Sequence, residues 1–199
     1  LTHNCVGMQL KMLNDQELIS LYLSGNQTFF EFLLKRHKDK IYTSIYLFVK
    51  DTELAEDIFQ EVFIKIVDTL RRDKYNNEGK FLQWAMRIAY NMCVDHFRRS
   101  KRMSKVSNTE TFDIFSIIES KDDNMEGSII KSQIHRRLRE LIDQLPDEQR
   151  EVVILRHYAD MSFKEISQMT RVSINTSLGR MRYALINLRK LVSEKEMVI

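Results

Sequence analysis

With 199 residues, of which 43% are hydrophobic, the chain is long enough for one domain or two small ones. Its formal net charge of +3 indicates no particular class of partner, so only the distribution of charge can point to one. The two cysteines, Cys5 and Cys93, are too far apart for a disulfide framework or a metal-ligand spacing, which fits a reducing compartment. No apolar run approaches the roughly 18 residues of a membrane span, and the first residues lack the order of a signal peptide. We therefore expect a cytoplasmic protein without direct membrane insertion.

A single proline, five glycines and few alternating apolar runs predict an all-α fold. The apolar periodicity predicts helices at about 14–23, 27–49, 52–73, 79–103, 128–144, 147–158, 162–169 and 173–193. The tract at 103–127 is instead rich in Ser, Asn, Asp and Glu, which predicts an acidic, flexible linker. This linker would join two small helical domains, residues 1–102 and 128–199.

The predicted helix at 52–73 separates an apolar side from an acidic side. The residues expected to be buried are Ala55, Ile58, Phe59, Val62, Ile66 and Leu70. The residues on the opposite side are Asp57, Gln60, Glu61, Ile64 and Asp68. Carboxylates near a helix N-terminus favour the helix dipole, but the dipole does not account for an isoleucine in the middle of a polar side. An apolar residue ringed by charges is typical of a protein-binding surface, although single exposed apolar residues are also common.

The predicted helix at 79–103 also has two sides. Its expected apolar stripe consists of Phe81, Ala85, Ile88, Met92 and His96, which makes His96 a histidine at the edge of the core rather than a metal ligand. A separate narrow sector contains Arg87, Asn91, Arg98 and Arg102, and residues 98–102, with Arg99, continue the positive strip to the helix end. Such a strip can neutralise DNA phosphates. The alternative is a solvated basic face.

The turn before this helix carries an aromatic ring and two amides, on Tyr75, Asn76 and Asn77. Beside a basic strip, these groups can stack on an unpaired base and hydrogen-bond to it. Turns are also rich in asparagine for local reasons, which is the alternative interpretation.

The C-terminal part of the chain predicts a helix–turn–helix. Ser162 and Glu165 form a capping-box signature for a short helix, residues 170–172 interrupt its period, and Ser173 is a good N-cap for a second helix. The apolar positions of the second helix are Met181, Leu185, Leu188 and Leu191. A positive helix with short polar groups at its start suits the DNA major groove. The residues expected to contact DNA are Arg171, Ser173, Asn175, Thr176 and Arg180. An ordinary helical hairpin with a solvated basic face is the alternative.

Together, these segments resemble the extracytoplasmic-function sigma factors of bacterial RNA polymerase over about residues 29–191. Four segments carry the resemblance in the family's order: the polymerase-binding helix (Asp51–Phe63), the promoter-melting and minus-ten-reading helix (Phe81–Asn91 with Asp95–Arg99), the opening of the second domain (Leu145–Val153) and the minus-thirty-five reader (Phe163–Leu188).

The resemblance implies a sigma factor that binds core polymerase and recognises and melts promoter DNA. It assigns polymerase binding to Asp57, Gln60, Glu61 and Ile64. It assigns capture of a flipped base to the turn from Tyr75 to Glu78, and phosphate binding to Arg87, Asn91, Arg98 and Arg99. The acidic linker would pass through the channel of the nascent RNA. For Trp84 we expect a structural role, because large aromatic residues usually belong to the core.

The implied partners are core polymerase and promoter DNA, with the free protein expected to be a monomer; an anti-sigma factor is left open as a further partner. No carboxylate pair, metal cluster, nucleophile–base set or phosphate loop is visible in the sequence, so we expect neither a cofactor nor an enzyme.

The chain departs from the family at two places. Arg171 stands where a glycine is usual, and a positive φ there would cost a non-glycine residue about 1 kcal/mol. Ser177 and Leu178 stand where an apolar residue and a lysine are frequent, which leaves the register of the recognition helix open. The competing interpretations are an autonomous dimeric helix–turn–helix regulator that binds operators without polymerase, and a helical adaptor without a nucleic-acid role.

Overall fold

A computed structural model describes residues 13–72, 74–76, 79–103 and 137–195, and within these ranges all regular structure is helical. The helices are α1 (Asp15–Leu23), α2 (Thr28–Val49), α3 (Thr52–Arg71), α4 (Phe81–Met103), α5 (137–143), α6 (Asp147–His157), α7 (Phe163–Thr170) and α8 (Ile174–Lys195). The all-α fold predicted from the sequence is confirmed. The predicted linker and the first part of the helix predicted at 128–144 lie outside the described residues.

The chain divides into two compact units, and the division falls inside α4, between Asp95 and His96. None of the helices in the described ranges is both long and apolar enough to cross a lipid bilayer.

The N-terminal unit packs α1, α2, α3 and most of α4 around an aliphatic core. Its fully buried aliphatic side chains come from three of the helices and include Leu18, Leu33, Ile41, Ile45, Ile66 and Leu70. Edge-to-face aromatic pairs join neighbouring helices: Tyr42 of α2 with Phe59 of α3, and Phe48 of α2 with Tyr90 of α4, each with ring centroids 5.5 Å apart.

A partly buried polar cluster fixes the start of α1 on α2. The Asp15 carboxylate accepts hydrogen bonds from the Arg36 guanidinium and pairs with Nε2 of His37, at 2.7 Å in each case. Burial raises the pKa of Asp15, but the hydrogen bonds and charges of His37 and Arg36 outweigh this effect, so the pKa lies below its ordinary value. The His37 ring also packs against Phe81, with centroids 5.5 Å apart, so the cluster reaches α4.

Helix α3 has the two sides that the sequence predicts. Asp51 is its N-cap and accepts a hydrogen bond from the Leu54 N–H at 3.0 Å. The expected apolar side is buried at Ala55, Ile58, Val62, Ile66 and Leu70 and half-buried at Phe59. The prediction for this helix is therefore confirmed.

The apolar stripe predicted for α4 is partly wrong. The buried residues are Phe81, Leu82, Ala85, Met86, Ala89, Tyr90 and Cys93, whereas Ile88 and Met92 are only half-buried. His96 is half-buried, as expected of a histidine at the edge of the core. Two members of the predicted stripe, Phe81 and Ala85, are buried, but the rest of the buried side lies around Ala89. Which side of a helix is buried depends on its neighbouring helices, and the sequence of α4 alone does not specify them.

The C-terminal unit packs α5, α6, α7 and α8 together. The buried Arg150 joins its first two helices, since its Nη1 donates to the carbonyl oxygens of Asp143 and Leu145 at 3.3 and 3.4 Å and its Nη2 pairs with Asp147. The predicted capping box of α7 is confirmed, since Ser162 accepts from the Glu165 N–H and Glu165 accepts from the Ser162 N–H.

The apolar face predicted for α8 is displaced. The fully buried positions are Ser177 and Ala184, both 0% exposed, while Leu185 is 43% exposed, so the assignment of Leu185 to the core is wrong. Met181, Leu188 and Leu191 are half-buried. The buried side of α8 is therefore marked by small residues and not by its leucines.

Candidate polymerase-binding and DNA-binding surfaces

The outer side of α3 forms an acidic face, which we define as Asp57, Gln60, Glu61 and Ile64. All four side chains are exposed, and Ile64 is 67% exposed. The face lies opposite the buried side of the helix, as predicted. Burial within this unit does not stabilise the exposed Ile64 side chain. The face is therefore available for binding another molecule, because the fold does not require it.

The turn between α3 and α4 rests on an aromatic cluster. The ring centroid of Tyr75 lies 4.5 Å from that of Trp84, and Trp84 lies 5.8 Å from the buried Phe81. Tyr75 is therefore half-buried, with Trp84 against its ring, and Asn76 is exposed. These contacts agree with a structural role for Trp84. The third predicted residue of the turn, Asn77, lies outside the described residues.

Gly79 ends this turn and brings it against α1. Its φ is +74°, and a Cβ built on it would lie 3.2 Å from Nε2 of Gln16. Both the backbone conformation and the close contact therefore favour glycine. The exposed Lys74 and Lys80 flank the turn, and neither belongs to the predicted set of DNA-contacting residues.

The predicted basic residues of α4 are exposed. Arg87, Asn91, Arg98 and Arg99 are all exposed, and we call them the basic face. They lie away from the buried side of the helix around Ala89. For Arg102, which the sequence placed in the same sector, only the helical backbone belongs to the described structure.

The turn of the helix–turn–helix keeps left-handed geometry without glycine. Arg171 adopts φ 57° and ψ 39° and its N–H donates to the carbonyl oxygen of Ser167. The N–H of Val172 donates to the same oxygen at 3.1 Å. These hydrogen bonds satisfy a carbonyl oxygen at the C-terminal end of α7, as a glycine cap does. It leaves the exposed Arg171 side chain beside the start of α8.

The first turn of α8 is organised by Ser173. Its hydroxyl oxygen accepts a hydrogen bond from the Thr176 N–H at 3.0 Å and lies 2.8 Å from the Thr176 hydroxyl. Both hydroxyls are thus engaged in the cap, although both residues are exposed. Asn175 is exposed between them, and its amide can both donate and accept hydrogen bonds.

Arg180 is directed toward α6. Its Nη1 lies 3.5 Å from Oε2 of Glu151 and its Nη2 lies 4.0 Å from Oε1 of Glu148, and its side chain is 23% exposed. The sequence predicted a DNA contact for Arg180. The geometry gives this arginine a contact within the unit and separates it from the other predicted DNA-contacting residues.

The side of α8 opposite Ser177 and Ala184 is exposed. We call it the outward face, and its members are Asn175, Leu178, Arg182, Ile186 and Arg189. Four of these five were absent from the predicted set. A helical wheel centred on the small residues, rather than on the leucines, would have selected them.

Two protein families match successive parts of the chain. Residues 33–103 match the Sigma-70 region 2 family and residues 135–181 match the Sigma-70 region 4 family. The chain is 29% identical over 170 residues to the ECF RNA polymerase sigma factor SigW of Bacillus subtilis, a match that covers 83% of this chain and 90% of that protein. It is 26% identical over 170 residues to the RNA polymerase sigma-H factor of Pseudomonas aeruginosa, covering 83% and 87%.

Two solved structures share the fold. One is CnrH in complex with the cytosolic domain of CnrY, with a TM-score of 0.57 and 22% identity over 90% of this chain and 97% of that chain. The other is the sigma factor RpoE in complex with the anti-sigma factor NepR from Bartonella quintana, with a TM-score of 0.62 and 17% identity over 82% of this chain and 96% of that chain. Because both sigma-70 regions occur in order and the relatives match over most of their length, the chain belongs to the extracytoplasmic-function (ECF) sigma factors, which bind core RNA polymerase and direct it to promoters.

Proposed function

We propose that this sigma factor binds core polymerase through its acidic face (Asp57, Gln60, Glu61 and Ile64). The observation that carries this assignment is the 67% exposure of Ile64 between acidic and amide side chains. An apolar anchor inside a charged rim is the usual composition of a binding hot spot.

The test is the Asp57→Lys, Ile64→Ser double variant in equilibrium binding to core polymerase. We expect an affinity loss of about tenfold or more with unchanged helicity, because both residues are exposed. The matched control is Asp39→Lys with Leu23→Ser, which makes the same kinds of change at exposed positions of α2 and α1. Unchanged polymerase affinity in the first variant, or equal losses in both, would refute the assignment.

We assign the downstream promoter contacts to the basic face and the turn. Arg87, Arg98 and Arg99 would hold phosphates, while Asn91 and Asn76 would hydrogen-bond to DNA. The packing of Tyr75 on Trp84 supports a base contact through the remaining accessible part of the tyrosine ring. The assignment of Asn77 rests on the sequence.

Arg87→Gln with Arg98→Gln tests the basic face in holoenzyme. We expect the dependence of log binding constant on log salt concentration to become shallower by about 1.5–2. Lys35→Gln with Lys38→Gln removes two exposed charges of α2 and is expected to leave the slope unchanged. An unchanged slope in the first variant would exclude phosphate contacts at this face.

We assign the upstream promoter element to the start of α8. Asn175 would read a base edge, Arg171 would contact DNA, and Ser173 and Thr176 would present the helix through their cap. Asn175→Ala is expected to change the preferred upstream sequence, and an unchanged preference would remove Asn175 from the set of base readers.

The competing autonomous regulator would bind its operator tightly as an isolated dimer, whereas we expect a monomer that needs core polymerase for specific binding.

We propose the domain boundaries 1–102 and 128–199 with a linker at 103–127. The end of the region 2 match at 103 supports the first boundary. Limited proteolysis is expected to cut first within 103–127 and to leave two resistant fragments; preferred cleavage elsewhere would revise the boundaries.

The chain would act in the cytoplasm, where polymerase and DNA are, and would catalyse no reaction itself.

We also propose an anti-sigma factor as a further partner. The RpoE relative is solved with such a protein, which supports the same regulation here. A partner copurified from the native cell should lower the affinity of the chain for core polymerase. Copurified proteins without any effect on polymerase binding would argue against this regulation.

A further inference from the structure

Gly179 is the one glycine in the interior of a helix within the described residues, and the fold gives it no structural task. It lies in α8 one turn after Asn175 and one turn before Arg182 and Tyr183, all of which are exposed. Apart from its two neighbours in the chain and the helix's own backbone, no atom of the described residues lies within 4 Å of a Cβ built on it.

This position differs from the other two described glycines. Gly25 and Gly79 have positive φ values of 111° and 74°, a conformation that favours glycine, whereas Gly179 is in an ordinary helical conformation. Glycine weakens a helix relative to alanine, because it loses more backbone freedom on folding. Packing against the unit cannot compensate for this weakness at Gly179, since the surrounding space is open.

Exposed polar side chains lie one turn to either side of Gly179. Asn175, Arg182 and Tyr183 supply an amide, a guanidinium and a phenol hydroxyl around a position without a side chain. Tyr183 is 62% exposed and Leu178, which precedes the glycine, is 44% exposed. Glycine in an open helical position is suited to a site where another molecule must approach the backbone closely.

We infer that Gly179 is a positioning residue of the recognition helix, at which the upstream promoter duplex approaches the backbone of α8 more closely than a methyl group allows. This inference rests on the proposed upstream-element function of α8. The absent side chain sets how deeply the helix enters the major groove, and the neighbouring amide and guanidinium then reach base edges. This inference predicts that a methyl group at position 179 raises the stability of the protein and lowers its affinity for DNA.

The test uses holoenzyme containing Gly179→Ala or Gly179→Leu on a promoter duplex that supports initiation. Gly179→Ala is expected to raise the Tm of the free protein by about 2–4 °C, because alanine is the better helix former. The same variant should weaken promoter binding by about tenfold, and Gly179→Leu should weaken it further. Ser193→Ala is the matched control, an exposed position on the same face about 21 Å along the helix, and it should leave binding unchanged.

The outcomes separate this inference from the function on which it rests. Unchanged promoter affinity in both Gly179 variants, with an altered sequence preference in Asn175→Ala, would overturn the close approach while α8 remains the reader. Unchanged binding in all three variants would instead remove α8 from the DNA interface. A loss of promoter binding accompanied by a lower Tm would also overturn the inference, since the glycine would then serve the fold.

Discussion

Nη1 of Arg180 lies 3.5 Å from Oε2 of Glu151, so an ion pair joins α8 to α6. Both side chains are less than a quarter exposed, at 23% and 22%. The pair holds the guanidinium away from the outward face, where Asn175 and Arg182 are exposed. We therefore predict that Arg180 orients α8 within its unit.

The first prediction concerns this pair. Arg180→Ala and Glu151→Gln should each lower the free energy of unfolding by up to about 1 kcal/mol, because each variant breaks the same partly buried pair. Urea denaturation followed by circular dichroism measures this change.

A direct phosphate contact of Arg180 would have a different signature. Arg180→Ala alone would then make the salt dependence of duplex binding shallower by about 1, while Glu151→Gln would leave it unchanged. Equal effects of the two variants on promoter affinity are expected from an orienting role.

A second prediction follows from the left-handed conformation of Arg171. With φ at 57°, Arg171→Gly should relieve backbone strain and raise the free energy of unfolding by up to about 1 kcal/mol. Arg171→Ala keeps the strain and should change stability little. Both variants lack the guanidinium, so both should weaken upstream-element binding.

Thermal unfolding and promoter titration of the two Arg171 variants separate the turn from the DNA contact. If the glycine variant is less stable than the alanine variant, strain at this position is not significant. If both variants keep full promoter affinity, Arg171 belongs only to the turn.

The sequence predicts the elements of this fold well where large residues mark one side of a helix. On α3 the buried stripe and the exposed Ile64 both follow from a period of 3.6 residues. On α8 the same method fails, because the fully buried positions are Ser177 and Ala184 and Leu185 is 43% exposed. Helix packing distances depend on the partner helix, and a single helix's sequence does not contain them.

The sequence also predicts some parts of the candidate binding surfaces and not others. The acidic face and the exposed basic residues of α4 follow from local spacing and charge. The partner of Arg180 does not, since Glu148 and Glu151 belong to a different helix. The support of Tyr75 by Trp84 also depends on how the turn folds back onto α4.

A third prediction concerns acid pH. The pKa of Asp15 is lowered in the folded protein, because the His37 and Arg36 contacts outweigh its burial. A carboxylate with a lowered folded pKa contributes stability above its unfolded pKa and loses that contribution as the pH falls through the folded value. The free energy of unfolding of the N-terminal unit should therefore decrease as the pH falls below about 4, the ordinary pKa of aspartate.

Urea unfolding across a pH series tests the Asp15 contribution. Asp15→Asn should be less stable than the parent at pH 7 and should show a weaker acid-dependent loss, since the titrating partner of His37 is gone. Glu53→Gln, an exposed carboxylate in the first turn of α3, is the control. Parallel pH curves for the parent and Asp15→Asn would contradict the assignment.

The last prediction concerns the contact of Tyr75 with Trp84, whose ring centroids lie 4.5 Å apart. Trp84→Ala should lower the free energy of unfolding by about 2 kcal/mol, less than for a fully buried tryptophan, because Trp84 is only half-buried. It should also slow promoter opening, since Tyr75 loses the ring that holds it beside Phe81. Trp84→Phe keeps an aromatic support and should retain most of the opening rate.

Permanganate reactivity of unpaired thymines in the holoenzyme–promoter complex reports opening, and chemical denaturation reports stability. Tyr75→Leu keeps apolar packing against Trp84 but removes the aromatic face that can stack on a base. It should therefore impair opening with a smaller loss of stability than Trp84→Ala. If Tyr75→Leu opens promoters at the parent rate while Trp84→Ala does not, the tryptophan itself acts on DNA and the tyrosine only supports it.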